Sequence, residues 1–206
     1  MKALFKKCLD AQYKSTPFSG NYAVTVERDT LYLLFEWSRG REDWKNNLNF
    51  PAKPYKNMGS LWFCHRGFLK VWRAMRDELE KDVRCKLATH PKIKYIVCVG
   101  YSHGGALALL ATEDMEYLYG DTLDVLGFGF GAPRVVWGFL PKEVKYRLEG
   151  FSVIRNVPDL VTHLPPAVFG FRHVGEVIKV GKAGKYSPVK AHYPEAYLAE
   201  LTEDSV

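Results

Sequence analysis

The sequence has no long apolar run and no apolar leader at its amino terminus. Its longest uninterrupted apolar run, counting glycine, is the eight residues 104–111, far short of the ~20 that a membrane-spanning helix needs. Only residues 3–5 are apolar before lysine returns, whereas a secretory signal needs ~7–15 apolar residues. We therefore expect neither a membrane span nor a signal peptide in this chain. This favours a cytoplasmic location without fixing it.

The sequence also has few cysteines, and none of them are close together. They occur at positions 8, 64, 85 and 98, with no Cys-x-x-Cys and no pairing of cysteine with histidine at zinc-binding spacing. A structural zinc site is therefore not predicted. In a chain without a secretory signal the four cysteines are expected to be free thiols.

The charge balance is only modestly basic. There are 29 Lys+Arg against 23 Asp+Glu, a net charge of +6, and 47% of the residues are apolar, which excludes a disordered chain. No repeat or linker divides the sequence, so one domain over 1–206 is predicted. Four lysines (179, 182, 185 and 190) are expected to form a solvated basic face. They carry no nucleic-acid motif, and the alternative is attraction to anionic lipid or nucleic acid.

The amino-terminal third contains weak secondary-structure patterns. Apolar residues at helical spacing predict a short amphipathic helix within 2–13. Residues 22–26 and 30–37 are typical of two strands joined by a hairpin at 28–29. The polar stretch from there to residue 65 is predicted to be loop with at most one short helix.

From residue 67 onward the pattern is clear. Apolar residues at steps of three and four predict a long helix over 67–87 with one buried stripe. The elements predicted after it are a strand at 93–99, a helix at 104–118, a strand at 123–130, a short helix at 144–148, strands at 151–156 and 176–180, and a helix at 195–201. Apolar, non-alternating strands that alternate with helices favour an α/β fold with a mostly parallel sheet covered on both faces.

One short motif carries the chemistry. Residues 100–104, Gly-Tyr-Ser-His-Gly, form a G-x-S-x-G pentapeptide between a predicted strand and a predicted helix. A serine on such a tight strand-to-helix turn projects its hydroxyl from the sheet beside the first helical amides. The flanking glycines leave room for the neighbouring strand and helix. Ser102 is therefore a candidate nucleophile, and the alternative is a glycine-rich turn capped by a serine.

A serine nucleophile needs a base, and the base needs an orienting carboxylate. In α/β-hydrolases the acid follows the serine in the chain. Asp159 lies just beyond the predicted strand 151–156 and is the candidate acid. Asp114, Asp121 and Asp124 lie in or beside the helix after Ser102, where a solvated position is expected.

Four histidines follow the candidate nucleophile. His103 is adjacent to Ser102, so its side chain points the wrong way for a base. Position in the chain alone leaves His163, His173 and His192 open.

Several sequence blocks in fixed order resemble the class 3 lipases, a fungal-lipase-like branch of the α/β-hydrolases, over roughly residues 30 to 200. The blocks are Phe35–Ser38 with Asp43, Trp44 and Leu48; His65–Phe68 with Trp72; Gly100–Ala106; Gly131–Val135; and Asn156–Asp159 through Leu164–Pro166 to Phe169–His173. The resemblance implies an α/β-hydrolase fold with Ser102 as nucleophile, Asp159 as orienting acid and His192 as base. His192 is assigned as the base because the base of this family precedes a Tyr-Leu pair in the last helix, and Tyr197-Leu198 follow His192 at that spacing.

The resemblance also assigns supporting residues. It implies an oxyanion hole made by the backbone N–H of His103 together with the N–H and hydroxyl of Ser38. His173 matches a structural histidine, and His65 matches a supporting residue near the site. The substrate side would carry Trp37 and Trp44.

Two departures from the family pattern bear on the substrate. Glu36-Trp37 replaces the usual Arg-Gly before the oxyanion serine, which puts a bulky aromatic beside the acyl site. The stretch aligned with the interfacial lid, residues 39–47, is polar apart from Trp44. Since interfacial binding scales with buried apolar area, strong interfacial activation is not expected.

These features together predict a serine carboxylic-ester hydrolase that works through an acyl-enzyme on acylglycerols or shorter-chain esters, with no metal or organic cofactor. The expected partners are the lipid or small ester substrate and a transient lipid surface, not nucleic acid. Two alternative functions are compatible with the same sequence features. One is an acyltransferase with an alcohol in place of water, and the other is a lipase-like binding or scaffold module without turnover.

Overall fold

A computed structural model describes residues 1–16, 20–37 and 51–203, and it contains two β-sheets with helices packed around them. The helices are α1 (Lys2–Asp10), α2 (Arg66–Thr89), α3 (His103–Tyr119), α4 (Lys142–Arg147) and α5 (Pro194–Glu200). The strands are β1 (Tyr22–Glu27), β2 (Thr30–Phe35), β3 (Ala52–Asn57), β4 (Ser60–His65), β5 (Tyr95–Tyr101), β6 (Asp124–Phe130), β7 (Val136–Trp137), β8 (Phe151–Asn156), β9 (Phe171–Arg172) and β10 (Glu176–Val180). Short 3₁₀ turns, including Lys190–His192, join some of these elements.

The larger sheet has six strands in the order β1-β2-β5-β6-β8-β10. All its pairs are parallel except the β1–β2 hairpin. The central strand β5 is buried at every residue after Tyr95, as expected where both faces of a parallel sheet are covered. The predicted mostly parallel α/β sheet is therefore confirmed.

The two faces of this sheet carry separate apolar cores. On one face the core includes α3, whose residues 103–115 are all buried, and the predicted stripe of α2. On the other face, Phe5 and Cys8 of α1 pack with Tyr101 of β5 and Tyr197 of α5. Alternate residues of one strand enter opposite cores, because successive side chains of a strand point to opposite faces.

The prediction of a loop before residue 65 is wrong for residues 52–65. These residues form the antiparallel hairpin β3–β4, which belongs to the smaller sheet of order β3-β4-β7-β9. Met58 and Gly59 form the turn, with φ angles of 44° and 78°, the conformation that a two-residue hairpin requires at both positions. The outward side chains Leu61 and Phe63 are apolar. The sequence of this strand therefore lacks the alternation of polar and apolar residues by which a half-exposed strand is recognised.

All four cysteines are free thiols. Cys8, Cys64 and Cys98 are buried, and burial raises the pKa of each to about 12. Cys85 is exposed on α2. Within the described ranges, no helix is both long enough and apolar enough to cross a bilayer.

The expected solvated position of Asp114 is also wrong. Glu113 and Asp114 are both buried in α3, and burial raises the pKa of Asp114. Arg76 Nε lies 2.6 Å from Asp114 Oδ2, and Arg147 Nη2 lies 2.7 Å from Glu113 Oε1. The amide of Asn57, at the end of β3, donates to both carboxylates. This buried charge cluster thereby connects the smaller sheet and helices α2 and α4 to α3.

Replacing Arg147 by Met should lower the free energy of unfolding by about 3–5 kcal/mol, because it leaves the Glu113 carboxylate buried without its cation. Urea denaturation measures the change. The double variant Glu113→Leu/Arg147→Met should lose less than Arg147→Met alone, since the buried charge is removed with its partner.

The matched control is Arg84→Met. Arg84 Nη2 lies 2.7 Å from Glu80 Oε1, but the Arg84 side chain is 67% exposed, and such pairs contribute about 0.5 kcal/mol or less. Equal losses in Arg84→Met and Arg147→Met would contradict a stabilising role for the buried pair.

Candidate active site

Ser102 lies at the turn between β5 and α3. Its backbone has φ 55° and ψ −120°, a region that residues with a Cβ rarely occupy and that is associated with functional sites. The turn is held by a hydrogen bond of 2.8 Å from Ser102 N to Phe130 O of the neighbouring strand. The strand–turn–helix context predicted for the pentapeptide is therefore present.

The glycines on either side of Ser102 permit a very close approach between helix and sheet. A Cβ on Gly100 would lie 1.9 Å from the carbonyl oxygen of Gly104, and a Cβ on Gly104 would lie 2.3 Å from the carbonyl oxygen of Phe35. Both contacts are with backbone, which cannot move aside without displacing α3. The glycines are thus required by packing, as the sequence analysis expected.

Three residues from separate loops form a continuous hydrogen-bond chain. Ser102 Oγ lies 2.9 Å from His192 Nε2, and His192 Nδ1 lies 2.8 Å from Asp159 Oδ2. Ser102 is 8% exposed, His192 5% and Asp159 0%. The structure therefore brings together the serine, acid and base that were predicted from the sequence.

The Asp159 carboxylate is fully buried and has two further partners. The backbone N–H of Val161 donates to its Oδ1 at 2.8 Å, and the Tyr197 hydroxyl donates to its Oδ2 at 2.6 Å. Burial and the nearby Asp159 raise the pKa of Tyr197 well above its usual value, so this hydroxyl keeps its proton. These two donors, together with His192, hold the carboxylate in a fixed orientation toward the imidazole.

His163 and His173 do not contact Ser102. His163 Nε2 lies 2.5 Å from Arg155 Nη2, and burial together with Arg155 and Arg134 lowers its pKa. His173 Nε2 donates to Thr162 O at 2.7 Å, and burial lowers its pKa to about 4. Of the three histidines left open by their position in the chain, only His192 reaches the serine.

His103 and His65 lie on either side of Phe68, whose ring contacts both. His103 is the first residue of α3 and is buried; burial, with a smaller contribution from His65, lowers its pKa to about 4. His65 caps α2 by accepting a hydrogen bond from Gly67 N at 3.1 Å, and its ring stacks on Phe68 at 4.2 Å. Phe68 in turn contacts the His103 ring edge-on at 5.3 Å. His65 therefore supports the site through packing.

Trp37 is half-buried beside the site. Its ring contacts Tyr13 at 6.4 Å and Tyr101 at 6.0 Å. Ser38 and Trp44 lie outside the described residues, so the oxyanion role of Ser38 and the substrate role of Trp44 stay predictions. The backbone N–H of His103 is at the start of a helix, where a developing negative charge is favoured.

Two tyrosines at the site are not predicted from the sequence. Tyr197 enters the sequence pattern only through its spacing from His192, yet its hydroxyl bonds the acid. Tyr101 is a variable position of the G-x-S-x-G pattern, yet its ring stacks on His192 at 5.2 Å. Neither contact has a periodicity or spacing signal, because each joins residues far apart in the chain.

Across residues 1–16, 20–37 and 51–203, no three or more His, Cys, Asp or Glu side chains are grouped suitably for a metal ion. The arrangement of serine, imidazole and carboxylate can instead deliver a hydroxyl nucleophile and carry its proton.

Known proteins that resemble this chain include two fungal lipases. The lipase of Rhizomucor miehei is 32% identical over 151 residues, covering 71% of this chain and 40% of that protein. Secreted mono- and diacylglycerol lipase 1 of Fusarium solani is 30% identical over 155 residues, covering 75% and 45%. The chain thus spans less than half the length of these two curated relatives.

Solved structures agree with the sequence relatives. The structure of Rhizomucor miehei triacylglyceride lipase has a TM-score of 0.68 to this chain at 28% identity, covering 83% of this chain and 66% of that one. A triacylglycerol lipase described as having a serine-protease triad at its catalytic centre has a TM-score of 0.70 at the same identity and coverage. The fold is therefore that of the α/β-hydrolases. Since the family model for Lipase (class 3) matches residues 32–169, this chain belongs to the class 3 lipase family.

Proposed function

We propose that the protein is a serine carboxylic-ester hydrolase that works through an acyl-enzyme. The observation that carries the proposal is the continuous hydrogen-bond chain from Ser102 Oγ through His192 to the buried Asp159. A serine hydroxyl becomes an effective nucleophile when a positioned base takes its proton. The complete chain also argues against an idle scaffold, which would have no need of three aligned groups.

The proposed reaction has two halves. Ser102 Oγ attacks the ester carbonyl while His192 Nε2 takes its proton, and Asp159 stabilises the resulting imidazolium. The intermediate then releases the alcohol, which receives the proton from His192, and leaves an acyl group on Ser102. A water molecule attacks this acyl-enzyme, again giving its proton to His192, and the acid departs as Ser102 is restored. No step requires a metal or an organic cofactor.

The developing oxyanion needs donors aimed at it, each worth ~3–4 kcal/mol. We assign one of them to the backbone N–H of His103, because it follows Ser102 at the start of α3. Ser38 is proposed as the second donor on the resemblance alone.

The substrate is proposed to be an acylglycerol or a shorter-chain ester. The matched relatives are named as lipases and mono- and diacylglycerol lipases, which supports acylglycerols. Leu160, Val189 and Tyr193 lie within three residues of Asp159 or His192 in the chain, and each is about half exposed (48%, 60% and 52%). Exposed apolar side chains so close to the triad suit an acyl chain or a lipid surface.

Lipid contact would also be favoured by charge. Lys179, Lys182, Lys185 and Lys190 are all exposed, as predicted for a solvated basic face. Lys190 belongs to the same turn as His192. We propose that this face attracts the protein transiently to anionic lipid, an effect that falls with ionic strength.

Replacing Ser102 by Ala should abolish turnover of p-nitrophenyl butyrate and leave the fold intact, because the nucleophile is lost and a small buried side chain replaces it. His192→Ala should be nearly as severe. Each should lower kcat by about 10⁴-fold or more, measured by steady-state kinetics alongside thermal denaturation.

His173→Ala is the matched control, since His173 is a half-buried histidine bonded to a backbone carbonyl and not to the serine. It should lower stability while the folded fraction keeps its activity. Activity retained in Ser102→Ala would remove the nucleophile assignment. If His173→Ala lost as much activity as His192→Ala, the assignment of His192 as the base would be contradicted.

Chain-length preference tests the proposed substrate class. Hydrolysis of p-nitrophenyl esters of two to sixteen carbons, each measured below and above its solubility limit, should be fastest for short soluble esters, with no jump at the emulsion threshold. The reason is the polar stretch 39–47, which offers little apolar area to an oil surface. A jump with long-chain esters would contradict this expectation and favour a lipase activated at interfaces.

A further inference from the structure

Two hydrogen bonds alone do not hold an imidazole fully in place. His192 bonds Asp159 through Nδ1 and Ser102 through Nε2, and both nitrogens lie in the plane of the ring. Rotation of the ring about the line joining them changes neither distance much. Alignment of the Nε2 lone pair with the serine therefore depends on what lies against the face of the ring.

Tyr101 lies against that face. Its ring centroid is 5.2 Å from that of His192, and the two planes are inclined by only 25°. This is the geometry of an offset stack. The Tyr101 hydroxyl also donates to the backbone carbonyl of His192, so one residue contacts both the ring and the main chain of the base.

Tyr101 is itself held on several sides. Its side chain is 3% exposed, and three aromatic rings contact it: Phe5 of α1 at 5.3 Å, Tyr197 of α5 at 6.0 Å and Trp37 after β2 at 6.0 Å. The residue is also rigid at its backbone, because it ends β5 and directly precedes Ser102. A stack made by such an immobile ring fixes the orientation of its partner.

We infer that Tyr101 is a positioning residue for His192. The Tyr101 ring sets the tilt of the imidazole and stabilises the cationic form of His192, while the Tyr101 hydroxyl holds the turn that carries His192. The inference rests on the proposed function, in which His192 is the base. During acylation His192 becomes an imidazolium, and an aromatic face within about 6 Å attracts a cation. The stack therefore contributes more after proton transfer than before it, which is the condition for assisting catalysis.

The charged and titratable groups around the stack are consistent with this role. Asp159 faces His192 from the loop after β8, and Tyr197 reaches the same carboxylate from α5. Burial, followed by Asp159, Glu195 and Tyr193, raises the pKa of Tyr101 far above its usual value. The phenol therefore keeps its proton and remains a donor throughout the working pH range.

Three variants separate the ring from the hydroxyl. Tyr101→Leu removes both, and Tyr101→Phe removes only the hydroxyl. Phe5→Leu is the control. Phe5 contacts Tyr101, Phe130 and Tyr197, so its replacement loosens the same aromatic cluster without altering the Tyr101 side chain. Each is measured as kcat/KM for p-nitrophenyl butyrate against pH, where the acid limb reports protonation of the base in the free enzyme.

Tyr101→Leu should move the midpoint of the acid limb down by about half a pH unit, since a less stabilised imidazolium loses its proton more readily. Its kcat should fall by about tenfold or more, because small misalignments at the reacting atoms are costly, with KM nearly unchanged. Tyr101→Phe should keep the parent midpoint with a smaller loss in kcat. Phe5→Leu should lower stability without moving the midpoint.

A second readout does not depend on activity. The chain has six histidines, so the His192 imidazole signal can be assigned in proton NMR by its absence in His192→Gln. Its titration midpoint should fall in Tyr101→Leu and stay in Tyr101→Phe. If Tyr101→Leu fails to fold, phenylalanines of increasing fluorination introduced at position 101 should lower the midpoint stepwise, because fluorine weakens the negative ring face with little change of shape.

The inference would be overturned if the variants that change the ring at position 101 kept the midpoint of the parent protein in both the kinetic and the NMR titrations. Ser102→Ala, measured in parallel, separates this failure from a failure of the proposed function. Hydrolysis that survives in Ser102→Ala would remove the proposed function, and the NMR titration would still decide whether Tyr101 stabilises the charged imidazole.

Discussion

The contact between the start of α3 and strands β5 and β2 is the constraint on which the site depends. Helix and sheet approach so closely there that a single Cβ at Gly100 or Gly104 would overlap backbone atoms. The same contact forces Ser102 into its unusual backbone conformation and points its hydroxyl out of the sheet edge. Because α3 is buried almost along its whole length, the position of this turn is set by the packing of the entire core. The position of Ser102, the proposed nucleophile, is therefore fixed by this packing.

The other members of the site are brought to this turn by long-range contacts. Asp159 follows β8 and His192 follows β10, and both lie near the carboxyl ends of neighbouring parallel strands. Buried polar groups are costly unless they are hydrogen-bonded, and here each triad residue satisfies the next. The tyrosines Tyr101 and Tyr197 complete the arrangement from the opposite core. The amino-terminal helix α1 packs against Tyr101 through Phe5, although it lies far from the serine in sequence.

Sequence patterns predicted the elements whose apolar residues form a recognisable run or period, and missed those in which they do not. The strand at Phe151–Asn156 was predicted with its observed bounds, because its apolar residues face buried surroundings on both sides. The β3–β4 hairpin was missed, since its outward face carries Leu61 and Phe63 and its inward face carries polar Asn57 and Ser60. The buried charges in α3 were missed for a related reason. A carboxylate that a distant arginine will neutralise looks in sequence like any solvated one.

For the site, the sequence by itself singled out Ser102 as the candidate nucleophile, since the pentapeptide and its flanking strand and helix are local features of one short segment. It also pointed to Asp159 as the candidate acid and left three histidines open as bases until the family resemblance favoured one of them. Only the tertiary structure decided that choice on physical grounds, because the distance from an imidazole to the serine depends on how β8, β10 and α5 pack together. The stack of Tyr101 on His192 was likewise beyond the sequence. It joins residues 91 positions apart, and no local propensity or spacing encodes which ring will lie against which.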